Sequence, residues 1–398
     1  MVFYCANGVQ LCGESTGIRT GRAIVMARFR MIVLLAVFAV VAAACSSGSG
    51  STTTVAQTAA STTAAPQTNA GTETTAAPAT SKAKVALVPG GPHPYFAPWE
   101  QAAADAKADF GLVDALYAVP DKWDVDVQNQ LIQSLVVRGF NAFVIFPGDA
   151  NATGATVDQL FAEKIPVIAG AGCITDPSDT LFCLATDVGA SAYQGTTKLI
   201  EAMGGSGKIV HLTGYLVDPN TQLRIDAVKR AVADAGGNVE VIQTIADIDD
   251  AEAATEAVNN LFAARADEID GIITTAYQPT VAAAKGLETL GGNRIKMVGI
   301  DDDPSVLDAI RTGVITGTMA QNPYGQGFLG AYVLDKVVSY GCSIAADAPF
   351  LKTEQTNRFV DSGTLFISKD NVETYKDELV ALTKKLEKTL GENYLSCP

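Results

Sequence analysis

Histidine is nearly missing from this chain: its 398 residues include two, His93 and His211. No HExxH, GxSxG or paired CxxC occurs, so the common signatures of zinc hydrolases, α/β-hydrolases and dithiol redox sites are absent. Positive charge is also scarce. Lys and Arg number 28 against 43 Asp and Glu, a net charge of -15, which argues against nucleic acid or an anionic membrane surface as a partner. Two stretches imitate ligand motifs without their chemistry. "GGSGKI" (Gly204–Ile209) lacks the glycine spacing of a phosphate loop and the Ser/Thr after its lysine, and it reads as a turn. "DDDP" (Asp301–Pro304) cannot aim three adjacent carboxylates at one cation from a strand end. Asp301 is expected to point inward, with Asp302 and Asp303 capping a helix or solvated. No catalytic residue, metal or cofactor is expected, and the chain does not read as an enzyme. His211, inside an apolar strand, reads as a satisfied core histidine.

Long apolar runs are equally rare. One extends from Met31 to Ala44, behind Arg28 and Arg30. It is short for a membrane span and has the charged flank of a signal peptide. Small residues directly before Cys45 resemble a lipobox, which implies cleavage and lipidation of Cys45. Residues 1–45 are therefore assigned to the signal region, with Met26 as the expected start. Residues 46–83 are a Ser/Thr/Ala/Pro-rich stretch with almost no large apolar side chains, read as a flexible tether reaching about 35 Å. An exported, lipid-anchored body on the outer face of the bacterial cytoplasmic membrane is the expectation.

Four cysteines remain in the body: Cys173, Cys183, Cys342 and Cys397. They allow three pairings. Cys173 and Cys183 flank an Asp-Pro-Ser-Asp turn and suit a short loop. Cys342–Cys397 would then pin the carboxyl terminus. Export favours disulfides over free thiols.

From Lys84 onward, apolar strands such as "KVALVP", "NAFVIFP", "KIVHLTG" and "IKMVGID" alternate with helical patterns. That rhythm gives βαβ units and parallel sheets. The strands are too many for one sheet, so the fold class is α/β with two similar doubly wound lobes. Open sheets of this kind bind ligands in the crevice beyond the strand carboxyl ends. The first such loop, "PGGPHPYFAPW", carries His93, Tyr95, Phe96 and Trp99. Arg224, Asp301 and Gln321 stand at or near other strand ends. Fixed donors and acceptors beside flat apolar faces suit a sugar or polyol, whose hydroxyls need charge-assisted bonds and whose C–H faces lie on rings.

"VALVPGGPHPYF", "LIQSLVVRGFNAFVIFPGDA", "IPVI", "ATDVGA", "MVGIDDDP" and "GVITGTMAQNPYGQG" together resemble the periplasmic sugar-binding proteins of ABC transporters, in the ribose-binding-like group. The resemblance implies the type 1 periplasmic-binding fold, its lobes joined by a hinge. It implies an amino-terminal lobe of 84–187 and 322–350, a carboxyl-terminal lobe of 188–321 and 351–368, and a helix and tail at 369–398. His93, Tyr95 and Phe96 stand where the family places an amide and two sandwiching rings. Arg224 stands for an arginine that grips hydroxyls, and Asp301 and Gln321 for a hinge-side acid and glutamine. Ala171-Gly172 replace a usual Asp-Arg pair, and Ala276 replaces an asparagine, with Tyr277 and Trp99 added. The implied role is a monomer that binds one sugar, polyol or similar solute and presents it to a membrane permease. The rival role is a ligand-sensing co-receptor for chemotaxis or signalling.

Overall fold

The computed structural model describes residues 80–398, residue 292 excepted. The signal region, Cys45 and the tether up to residue 79 lie outside the described residues. In the first lobe, β1 (Lys84–Val88), α1 (Pro98–Phe110), β2 (Asp114–Tyr117), α2 (Val125–Val137), β3 (Ala142–Ile145), α3 (Gly154–Ala162), β4 (Val167–Gly170) and β5 (Cys183–Ala185) alternate in sequence. The second lobe repeats the rhythm with α4 (Val188–Ala202), β6 (Gly207–Leu212), α5 (Pro219–Asp234), β7 (Val239–Ile245), α6 (Ala251–Arg265), β8 (Gly271–Thr274), α7 (Tyr277–Leu290), β9 (Lys296–Ile300), α8 (Pro304–Thr312) and β10 (Gly317–Gln321). The chain then returns through α9 (Pro323–Tyr340), β11 (Ser343–Ile344), β12 (Phe359–Asp361), β13 (Thr364–Ile367), α10 (Tyr375–Thr389) and β14 (Leu395–Ser396).

Two six-stranded sheets result, ordered β12-β5-β4-β3-β1-β2 and β13-β10-β9-β8-β6-β7. All their pairings are parallel except β10 with β13. Strands β3, β4 and β8 are buried at every residue, as a parallel strand covered by helices on both faces must be. The surplus of acid has a local use at the helix starts. Asp124, Asp187, Asp218, Asp250 and Asp303 each accept backbone N–H bonds as the N-caps of α2, α4, α5, α6 and α8. A carboxylate there satisfies an orphan donor and faces the positive end of the helix dipole.

The expected lobe boundaries need one correction. Residues 351–361 were assigned to the second lobe, yet β12 pairs parallel with β5 of the first sheet. Leu351 also bridges Phe359. Only Ser362 and Gly363 separate β12 from β13, and in those two residues the chain changes sheets. A sequence pattern shows one apolar stretch there, not two partners. Helix α9 packs on the first sheet, with Phe328, Leu329 and Leu334 in one core with Val85 and Leu87. The carboxyl-terminal segment serves both lobes: Tyr375 joins the second core, and Leu390 and Tyr394 join the first. Among the described residues no helix is long and apolar enough to cross a membrane.

Both expected disulfides are formed, Cys173–Cys183 and Cys342–Cys397. The second ties the end of α9 to β14, which pairs antiparallel with β11. Their sequence separations are 10 and 55 residues, so loop closure makes the second worth more, roughly 4 against roughly 3 kcal/mol. The double variant Cys342→Ala/Cys397→Ala is therefore expected to lose more stability in urea denaturation than Cys173→Ala/Cys183→Ala. The reverse order would count against loop entropy as the main term.

Candidate functional site

The carboxyl ends of the two sheets face one another across a cavity holding about 520 Å³ of atom-free space, mouth included. Both lobes supply its walls.

On the first lobe, the loop after β1 forms a single 3-10 turn, Pro94–Phe96. His93 caps it, its Nδ1 accepting the Tyr95 N–H at 3.2 Å. The turn drives Phe96 into the core, where its ring meets Tyr95, Trp99 and Phe146 edge-on at 5.0–5.1 Å. The Tyr95 hydroxyl donates to Gln326 Oε1 at 2.8 Å, and burial pushes its pKa well above the ordinary phenol value. Gly91 lets this loop lie flat on the next: a Cβ there would sit 2.7 Å from the Trp123 Cα. Trp123 and Phe146 thereby join the wall.

On the second lobe, Tyr215, Asp218 and Asn220 follow β6, and Arg224 stands one turn into α5. Asp249 follows β7, Ala276 and Tyr277 follow β8, Asp301 follows β9, and Gln321 ends β10. Gln321 Nε2 donates to Asp301 Oδ1 at 2.8 Å. Arg224 Nη1 lies 3.7 Å from Asp218 Oδ2, and its Nε is buried without a hydrogen-bond partner. Burial raises the pKa of Asp218, with Arg224 opposing. Burial likewise lifts Asp301 to about 6, against the pull of Gln321 and Arg224.

The lobes also touch directly. His93 Nε2 is 3.5 Å from Asp249 Oδ2, the His93 and Tyr277 rings lie 5.7 Å apart, and Asn220 Nδ2 donates to the Ala171 carbonyl at 3.3 Å. Ala171 and Asp301 are counterparts. Each follows the fourth strand entering its sheet in chain order, and each sends its N–H to a carbonyl of the adjoining strand, Leu184 or Met319. Both have positive φ, 64 and 67, a conformation that non-glycine residues adopt at a cost and that clusters at ligand sites.

Seven of the eight expected site residues line this cavity: His93, Tyr95, Phe96, Arg224, Tyr277, Asp301 and Gln321. Trp99 does not. It is fully buried in the first core. Pro98 starts α1, and Trp99 falls on a stripe with Ala102, Ala103 and Ala106, all facing the sheet. That helical spacing was visible in the sequence and outweighs nearness to the loop. Trp123, Phe146, Tyr215, Asp218, Asn220 and Asp249 were not anticipated. Each follows a strand at the same sheet end, so strand-end position was the signal that could have found them. Of the acidic triplet, Asp301 points inward, Asp303 caps α8 and accepts the Tyr277 hydroxyl, and Asp302 accepts the Tyr375 hydroxyl at 2.8 Å. His211 is a core residue: it pairs with Thr275 Oγ1 at 2.8 Å, and burial lowers its pKa to about 3.

A family model described as periplasmic binding protein domain matches residues 85–341. The xylitol-binding protein of Mycolicibacterium smegmatis is 25% identical over 275 residues, covering 69% of this chain and 78% of the relative. The ribose import binding protein of Salmonella typhimurium is 28% identical over 207 residues, 52% of this chain and 69% of that one. Among solved structures, an ABC transporter solute-binding protein from Burkholderia graminis C4D1M in complex with D-arabinose superposes with a TM-score of 0.64. It is 20% identical and covers 74% of this chain and 98% of that one. A periplasmic solute-binding protein from Actinobacillus succinogenes 130z with bound D-allose gives 0.65 at 17% identity, over 74% of this chain and 100% of that one. The structural likenesses bear on the fold, which is the type 1 two-lobed architecture.

The raised pKa of Asp301 has a signed consequence. The folded state holds this proton more tightly than the unfolded state, whose carboxyl titrates near 3.8. The group's contribution to stability is thus complete below about 3.8 and is lost as pH rises through about 6. Asparagine keeps an acceptor for Gln321 and tolerates positive φ. Asp301→Asn is expected to raise the unfolding free energy at pH 7.5, by an amount on the order of 1–3 kcal/mol. The gain should vanish near pH 4, as urea titrations at the two pH values will show. An equal gain at both would disprove the burial argument.

Proposed function

The chain belongs to the periplasmic binding protein domain family, whose members bind solutes and do not transform them, and from that premise we propose an extracytoplasmic solute-binding component of an ABC import system. Its ligand is a sugar, polyol or similar small polar solute held between the lobes. The observation that carries this reading is the cavity itself. It joins the buried Arg224 and Asp301 and the half-buried Asp218 to the rings of Tyr95, Phe96, Trp123 and Tyr277. Charged groups fix hydroxyls, and rings cover C–H faces. Relatives named for ribose and xylitol support the solute class.

In this reading Arg224 and Asp301 bond ligand hydroxyls, Gln321 orients Asp301, and Tyr95 and Phe96 form the apolar floor. Asp249 and His93 meet across the mouth when the lobes close. The body acts as a monomer, is carried outside the cytoplasm by the segment before Cys45, and is held at the membrane by a lipid on Cys45. It hands its solute to a permease whose ATPase drives import.

A thermal-shift screen of the body from Lys84 to Pro398 against aldoses and alditols identifies the ligand, and calorimetry then tests the site. A hydrogen bond to a charged group contributes roughly 1.5–3 kcal/mol, so Arg224→Ala and Asp301→Ala are each expected to weaken affinity about ten- to a hundredfold. Asp302→Ala, which loses its partner on α10, should leave affinity within about twofold. Indifference of binding to both cavity variants would remove these residues from the site. For the anchor, Cys45→Ala is expected to move the protein from the membrane fraction to the soluble fraction, because acyl burial is the proposed tether. Undiminished membrane retention rejects lipidation at Cys45.

A further inference from the structure

The cavity contains more negative charge than its own residues neutralise. Asp218, Asp249 and Asp301 line it, and Arg224 is the one guanidinium among the lining residues. His93 does not make up the difference. Its Nδ1 accepts the Tyr95 N–H, which turns Nε2 toward Asp249. Ala171, Asn220 and Ala276 contribute no charge. Three carboxylates thus face one guanidinium and one imidazole in a site lined by aromatic rings, and burying an unpaired charge is costly. The three carboxylates do not form a metal cage: among the described residues no group of three or more His, Cys, Asp or Glu is arranged to hold a metal ion.

The excess is not evenly spread. Asp301 has Gln321 at 2.8 Å, and Asp218 has Arg224 at 3.7 Å. Asp249 has a backbone N–H, from Gln278, on Oδ1, and the His93 imidazole at 3.5 Å from Oδ2. Its charge is near enough to raise the pKa of Asp218 further. Around His93, the rings of Tyr277 and Trp123 stand at 5.7 and 6.5 Å. A carboxylate and aromatic rings lining one cavity, as Asp249, Tyr215 and Tyr277 do, suit an ammonium group. Arg224, more than nine-tenths buried, meanwhile keeps an unpartnered Nε donor. That donor calls for an oxygen, so the occupant carries hydroxyls as well as a cation.

We propose that the solute is an amino sugar or amino polyol, with its protonated amine seated against Asp249 and Asp218 and its hydroxyls on Arg224 and Asp301. The inference rests on the solute-binding reading above and narrows it. Uncharged sugars would leave the carboxylate excess in place, whereas an ammonium offsets it at the moment of closure.

Matched pairs that differ by one amine test this: D-glucose with D-glucosamine, D-galactose with D-galactosamine, and xylitol with 1-amino-1-deoxyxylitol. Calorimetry at pH 7.5 on the purified body is expected to show the amine tighter by about ten- to a hundredfold in at least one pair. Asp249→Asn should cut that ratio at least tenfold, Asp249→Glu should retain a preference for the amine, and Asp302→Asn should leave the ratio unchanged. Should Asp249→Asn not fold, as judged by thermal unfolding, the Asp249→Glu ratio and the wild-type ratio still decide. Uncharged members that bind as well as or better than their amines overturn the proposal and leave the solute-binding reading intact. An amine preference that survives Asp249→Asn overturns the assigned seat. Binding of no member of any pair overturns the amine proposal, while the wider thermal-shift screen of aldoses and alditols decides the solute-binding reading separately.

Discussion

Everything in this molecule depends on three chain crossings lying side by side and sharing one buried set of hydrogen bonds. The chain passes between sheets after β5, after β10 and after β12. Gln326, fully buried on α9, ties the first crossing to the third, donating to Thr186 Oγ1 at 3.3 Å and Ser362 Oγ at 2.9 Å. Asn322 marks the second, bonding the Ser362 carbonyl and Thr383 of α10. Asp361 accepts the N–H groups of Asp187 and Gly363. A buried polar group that loses its partner costs roughly 1–3 kcal/mol. These bonds therefore hold the crossings in register, and rotation between the lobes is left to a few backbone torsions.

The same network reaches the cavity. Gln326 accepts the Tyr95 hydroxyl, and Gln321, the residue before Asn322, holds Asp301. A wall ring of the first lobe and the central acid of the second are thus both referenced to the hinge. Ordinary packing would not place a carboxylate here. Asp301 is buried, has its pKa raised and sits at positive φ, three unfavourable features in one residue. Strain of this kind persists where the surroundings over-determine it. Here the Met319 carbonyl, Gln321 and the β9–β10 pairing do so.

The fold was legible because its signal is repeated. The βαβ units repeat a short, mostly apolar strand followed by a helix, and that repetition leaves little freedom of class. The site was legible where a strand end carried an unusual residue, as at His93, Arg224 and Asp301. It was obscure where the residue was ordinary and position alone mattered. Asp249 lies in "ADIDDAE", where Asp250 caps α6 and nothing in the sequence separates the two acids. Trp99 misled because ring content was weighed above helical phase. The β12–β13 switch was invisible for a different reason: sheet membership is decided by pairing partners far along the chain, and no local pattern encodes it.

The contacts that cross the cleft directly are few and weak. One long hydrogen bond from Asn220 to Ala171, a 3.5 Å approach of the His93 imidazole to Asp249, and the edge contact of the His93 and Tyr277 rings join the lobes at the mouth. Helix α10 adds a span between the cores, with Tyr375 anchored in the second lobe and the chain beyond Thr383 reaching the first. It binds the hinge side, opposite the mouth, so it limits how the lobes separate without favouring closure strongly. A closed state supported this lightly is readily shifted. In the proposed role, a solute bonded to Arg224 and Asp301 on one side and lying on Tyr95 and Phe96 on the other would add to closure contacts the open form cannot make. That difference in affinity, and nothing else, is what converts binding into a change of shape. Under that proposal the sparse direct contacts would serve function, because stronger cross-lobe bonds would close the protein whether or not it had anything to carry.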